Sequence, residues 1–188
     1  VKDTAKVVEA QGRLFGKLPY DYYLFIHHIT PDSGGGLEHL NSCVCGWNSW
    51  KFKKEDDYQA FIRLVSHEFF HVWNVKRIRP AILGPFNYSR EQYTKALWVM
   101  EGLTQYYERI WCARAGVTKP DRVLQSFAEN IDKEDNRPGR KIMSLENASW
   151  LAWTKLYLAD ENYLNSGVSY YSRGSQVGLV LDAKIRAA

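Results

Sequence analysis

Apolar residues recur at helical spacing over residues 4–15, where Val7, Val8, Leu14 and Phe15 stand among polar groups; Gly16 and Pro19 close the segment. Residues 20–30, YDYYLFIHHIT, are dense in aromatic and β-branched side chains and predict a strand. Pro31, Asp32, Ser33 and three glycines then make a turn, and residues 37–47 predict a second, shorter strand whose glycines permit close backbone approach. Residues 51–57 form a charged turn. Over residues 58–73 the apolar positions Phe61, Leu64, Val65 and Val72 again fit a helix. Pro80, Gly84 and Pro85 mark a loop, after which Ser89 and Gln92 have the spacing of a capping box opening a helix that stops near Gly116. Further helices are predicted over residues 121–131, 144–158 and 170–188, with residues 132–141 an exposed charged loop around Pro138-Gly139.

This order predicts an α+β fold. A small N-terminal strand region, residues 1–57, precedes a mainly helical lobe, residues 58–188, within a single catalytic domain whose active site lies between the two parts. No repeat or low-complexity tract interrupts it.

Composition narrows the classes. In 188 residues, 45% hydrophobic and 24% charged is the balance of a soluble globular chain. No run approaches the roughly 18 apolar residues of a membrane span, so no membrane partner is expected. The net charge of +4 is spread along the chain. Its densest basic run, Lys76-Arg77-Ile78-Arg79, is too short to argue for nucleic acid and reads as a solvated or salt-bridged helix end. Cys43, Cys45 and Cys112 lack zinc-knuckle or redox spacing and are expected to be reduced and structural. Residues 1–18 are polar and amphipathic, without the apolar stretch of a signal peptide. Reduced cysteines fit a reducing compartment, so of cytoplasm and periplasm the cytoplasm is slightly favoured.

The chemistry centres on His67-Glu68-Phe69-Phe70-His71. Four residues apart on a helix, the two imidazoles share a face and can hold one Zn2+, with the Glu68 carboxylate beside them as a base for water. A third protein ligand is needed. Glu101 stands among apolar neighbours, including Leu97 and Met100, where a carboxylate is costly to bury without a cation. Gln105 and Glu108 follow at one and two turns, so a solvent-facing polar stripe is the bland alternative for Glu101. Three protein ligands plus water would leave the open position a hydrolytic zinc requires. His27 and His28, adjacent on a strand, point to opposite faces and read as packing or surface residues. On residue chemistry alone, Glu38 and His39 read as exposed edge residues.

HEFFHVWNVKRIRP followed by LWVMEGLTQYYE resembles the glycyl aminopeptidase family of zinc metallopeptidases, grouped with the thermolysin-like enzymes or gluzincins. GGGLEHLNS and YYSRG match as well, so the resemblance spans nearly the whole chain. It implies a thermolysin-like zincin fold and Zn2+ held by His67, His71 and Glu101, with Glu68 as general base. Glu38 would bind the substrate's free α-amine, His39 replacing the asparagine of the related motif. Gly34, Gly35 and Gly36 would lie along an extended peptide as a strand partner. Tyr171 would stabilise the tetrahedral intermediate, with Tyr170 the competing assignment. Small residues Gly174, Ser175 and Gly178 share the Tyr171 helix face, leaving either a cleft or close helix packing. Two departures stand out. The loop between His71 and Glu101 is longer than in thermolysin. Gln105 occupies the place of the aspartate that supports a histidine ligand there.

The expected activity is zinc-dependent removal of N-terminal residues, Gly or Ala first, from peptides. A zinc endopeptidase of the same fold and a catalytically silent binding module are the alternatives. Family members carry a β-rich N-terminal region and a PDZ-like C-terminal domain, so this chain is expected to be the excised catalytic region.

Overall fold

The pattern of Ser42–Asn48 sets the middle of a small sheet. Cys43 and Cys45, two apart and therefore on one strand face, are both fully buried. This strand, β3 once β1 (Leu24–Thr30) and β2 (Gly36–Glu38) are counted, pairs in parallel with β1 from Leu24↔Ser42 to Thr30↔Asn48. It pairs antiparallel with β2, Gly36↔Cys45 to Glu38↔Cys43, so the order is β1-β3-β2 and β2 is an edge. Residues 37–47 thus make two strands, not the single one expected. The chain reverses at His39, whose N–H donates to the Ser42 carbonyl over 2.8 Å.

The computed structural model describes residues 1–188 and is mixed α and β, mostly helical with this one sheet. It divides into two units, Val1–Ile78 with Tyr107–Val123, and Arg79–Tyr106 with Leu124–Ala188. No helix is long and apolar enough to cross a membrane.

In the first unit, α1 (Lys2–Phe15) buries Val7 and Gln11 and ends at Gly16, whose φ of 70° suits glycine. The next helix, α2 (Glu55–Phe70), starts earlier than the apolar pattern alone predicts. Glu55, Asp56 and Asp57 occupy its first turn, where acidic groups oppose the exposed N–H groups. Val7, Cys43, Cys45, Ile62, Val65 and Cys112 form one core cluster; Phe69, Phe70, Val72, Trp73 and Trp111 form a second. Each fully buried Ile or Phe here contributes about 1.5–3 kcal/mol. The three thiols are buried and free, and burial pushes Cys112 up to about 12.

In the second unit no helix opens at Ser89. Its N–H and hydroxyl both donate to Asn87 Oδ1, a local turn that uses up the capping capacity. Thr94 Oγ1 accepts the Ala96 N–H instead, and a wide π turn (Trp98–Gly102) leads into α3 (Leu103–Arg114), which belongs to the first unit from Tyr107 on. α4 spans Pro120–Asp135, so helix replaces the start of the expected charged loop, and Glu134 within it is fully buried. α5 (Leu145–Trp150) is capped by Ser144 and followed by a second π turn, Ala152–Leu156. The short α6 (Tyr163–Ser166) precedes α7 (Tyr170–Ala187), which Ser169 caps. Ala148, Ala152, Val168 and Tyr170 centre this unit's core. The small face of α7 serves close packing: a Cβ on Gly102 would lie 2.6 Å from Gly174 Cα.

Candidate active site

The first unit carries both histidines. His67 lies in the last turn of α2, and His71 follows as its cap with helical φ −61° and ψ −14°, so both rings leave the same side. Their centroids are 4.7 Å apart and nearly perpendicular. Both are buried, at 8% and 1% exposure, as is Glu68 at 4%.

What each ring does is decided by its Nδ1. His67 donates from Nδ1 to Glu108 Oε2 over 2.8 Å, and His71 donates from Nδ1 to the Asn74 carbonyl over 2.7 Å. Neither acceptor, a carboxylate and a carbonyl, supplies a proton, so each ring when neutral carries its hydrogen on Nδ1 and leaves Nε2 unprotonated. That is the donor set a zinc ion takes up, and the two side chains offer ligand atoms within 4.8 Å of each other. Glu108 is itself held: Arg109 Nη1 lies 3.1 Å from Oε1, and Ser66 Oγ donates to the Glu108 carbonyl over 3.1 Å. Gln11, fully buried, donates to both the carbonyl and Oγ of Ser66. A polar chain from α1 through α2 to α3 therefore fixes the His67 ring. Glu108 is not on a solvent-facing stripe, being 8% exposed. The support that the sequence left open at Gln105 comes one turn later.

β2 brings the glycine tract to Glu68. A Cβ on Gly36 would sit 2.2 Å from the Glu68 carboxyl carbon, so any larger residue there would push that carboxylate aside. Gly35, at φ 74°, turns the chain into β2 and accepts the Gly46 N–H over 2.8 Å. Glu38, two residues after Gly36, joins Glu68 and His71 in a cluster whose ligand atoms lie within 4.8 Å of one another. Glu38 Oε1 is 3.3 Å from Lys76 Nζ, with both side chains 20% exposed. His39 is exposed, its Nδ1 3.2 Å from the Leu37 carbonyl oxygen. His27 packs on Phe61, ring centroids 5.3 Å apart, as a packing residue does.

The basic run after α2 is not merely solvated. Arg77 donates to the carbonyls of Val72, Pro19 and Leu40, pinning the turn that follows His71. Val75 in that turn has φ 153°, a conformation essentially confined to glycine and costing a β-branched residue about 1–3 kcal/mol.

The second unit carries Glu101, half-buried on the π turn Trp98–Gly102, and the tyrosines at the start of α7. Tyr170 is 1% exposed, whereas Tyr171 is only partly buried. The rings stack with centroids 4.7 Å apart, and both hydroxyls meet Tyr157 Oη, at 3.3 Å from Tyr170 and 3.2 Å from Tyr171. Burial raises both phenols far above the ordinary tyrosine range; the Glu101 charge adds to the shift at each. A phenol so raised stays protonated and able to donate.

Glu108, Lys76 and Tyr157 are the residues that sequence reasoning did not assign to the site. Glu108 carried a signal in its two-turn spacing from Glu101; the other two carried none.

A family model described as M61 glycyl aminopeptidase matches residues 60–177, more than half of the chain. The chain belongs to the M61 glycyl aminopeptidase family. The matched M61 stretch contains His67, Glu68, His71, Glu101, Glu108 and Tyr171. Among solved structures, an aminopeptidase N family protein from Idiomarina loihiensis matches with TM-score 0.91 and 34% identity. The match covers 99% of this chain and 33% of that one, so the chain spans about a third of that relative's length. No curated protein matches.

Proposed function

We propose that this chain is the catalytic region of a zinc-dependent aminopeptidase of thermolysin-like fold, acting on peptides with small first residues, Gly or Ala. The observation that carries the reading is the pair of imidazoles with Nδ1 tied to Glu108 and to the Asn74 carbonyl, beside the buried Glu68.

His67 and His71 would hold the zinc with Glu101 as third ligand. Supporting Glu101 is its position in one continuous helical run, Trp98–Gly102 into Leu103–Arg114. Glu108 follows it by seven residues (108 − 101), about two turns, so both carboxylates leave the same side of that run. Zinc in such a site polarises the scissile carbonyl and acidifies water. Glu68, packed against Gly36, takes the proton of the attacking water and passes it to the departing amine. Tyr171, partly exposed where Tyr170 is sealed, donates its phenol hydrogen to the oxyanion, a contact whose loss costs about 10²–10³ in rate. Glu38 anchors the α-amine. Gly35 and Gly36, at the open edge of β2, and the neighbouring His39 flank the substrate backbone as it pairs along that edge.

The deciding experiment joins metal analysis to one substitution. Purified protein should contain one zinc per chain and cleave glycyl or alanyl reporters. Glu68→Gln should keep the zinc and lose nearly all turnover. A zinc-free folded protein, or a fully active Glu68→Gln variant, overturns the proposal.

A further inference from the structure

Lys76 brings to Glu38 the same chemical group, an ammonium, that the substrate would bring. Its Nζ lies 3.3 Å from Glu38 Oε1, longer than the roughly 2.7–2.9 Å of a tight charge-assisted bond. Glu38 in turn stands in the donor cluster with Glu68 and His71. The backbone that delivers Lys76 is firmly set. Its N–H donates to the His71 carbonyl over 3.0 Å, Val75 before it holds φ 153°, and Arg77 after it grips three carbonyls. The four-carbon stem is the adjustable part of the residue.

We propose that Lys76 is the resident counter-ion of Glu38, displaced by the incoming α-amine, and so a specificity-determining residue that sets how strongly a free N-terminus is bound. The inference rests on the aminopeptidase reading of Glu38. Two ammonium groups on one carboxylate sit a few ångströms apart and repel, so the substrate amine gains Glu38 only as Lys76 gives it up. Recognition becomes an exchange of one cation for another. An N-acylated peptide, with no charge to exchange, leaves the Lys76–Glu38 pair in place.

The test uses glycinamide and N-acetylglycinamide as probes, with binding to the zinc-loaded protein measured by calorimetry. Lys76→Met, with Lys76→Gln as a second neutral variant, should bind glycinamide about two- to five-fold tighter, the worth of a partly exposed ion pair. N-acetylglycinamide should be unaffected, and Lys76→Arg should behave as the wild type. Weaker glycinamide binding in the neutral variants would mean that Lys76 only props Glu38, and overturns the exchange. An equal change for both probes, or none, overturns it too. Failure of the underlying reading looks different: the wild type would then not distinguish the probes, and Glu38→Gln would change neither.

Discussion

The proton on an imidazole decides whether its other nitrogen can take a metal, and here two different acceptors make that decision. His71 uses a backbone carbonyl three residues away, a local contact built into the turn after α2. His67 uses Glu108, 41 positions along the chain. Glu108→Ala should lower zinc affinity about 10–100-fold, read by competition with a chromogenic chelator, because the ring loses its orientation and part of its basicity. The histidines and Glu68 were legible as a motif because four-residue spacing is a property of the chain itself. Glu108 was visible only as one more polar position, since nothing local says which imidazole it meets. The contact of Gly36 with Glu68 was equally opaque. The tract read as a turn whose glycines permit close backbone approach, but only the structure puts the Glu68 carboxylate where a Gly36 Cβ would go.

Elements were predicted best where periodicity was long. α1, α2 and α7 fall within a few residues of expectation, and α7 starts at Tyr170 as its pattern says. Predictions failed where short polar groups had a choice of partners, as at Ser89, which bonds Asn87 rather than capping a helix. The small face of α7 shows the same limit, because sequence left a cleft and a tight contact equally open. A Cβ on Gly174 would come within 2.8 Å of the Trp98 carbonyl oxygen and 2.9 Å of Gly102 Cα. Gly174→Ala should therefore destabilise the protein by about 1–3 kcal/mol, measured by urea unfolding, since backbone atoms cannot step aside as a side-chain tip can. The same close approach sets the π turn that bears Glu101 against the start of α7, so this variant also tests how α7 packing supports that turn.

At the scale of the whole molecule, the least expected feature is a buried carboxylate in what read as a surface loop. Glu134 is fully buried, with Arg137 Nε 3.7 Å away. Burial raises its pKa above the ordinary 4.5, with the Arg137 charge pulling the other way. A carboxyl raised in the folded state binds its proton more tightly there than when unfolded. Its contribution is therefore full below about pH 4 and lost as pH rises through the raised value. Thermal melts of wild type and Glu134→Gln should diverge in that direction: from pH 4 to pH 7 the wild type loses stability relative to the variant. A constant difference across that range would rule out the buried-carboxyl account.

Hydrophobic spacing and turn residues were enough to reach an α+β chain, the His-Glu-x-x-His motif a candidate metal site, and the resemblance of the longer tracts the glycyl aminopeptidase family, because each is written in near neighbours along the chain. Which group orients His67, that Gly36 lies against the Glu68 carboxylate, and that Lys76 sits on Glu38 were settled by packing. Those pairs meet across 41, 32 and 38 positions (108 − 67, 68 − 36, 76 − 38), where the chain has turned back on itself and local pattern carries no information.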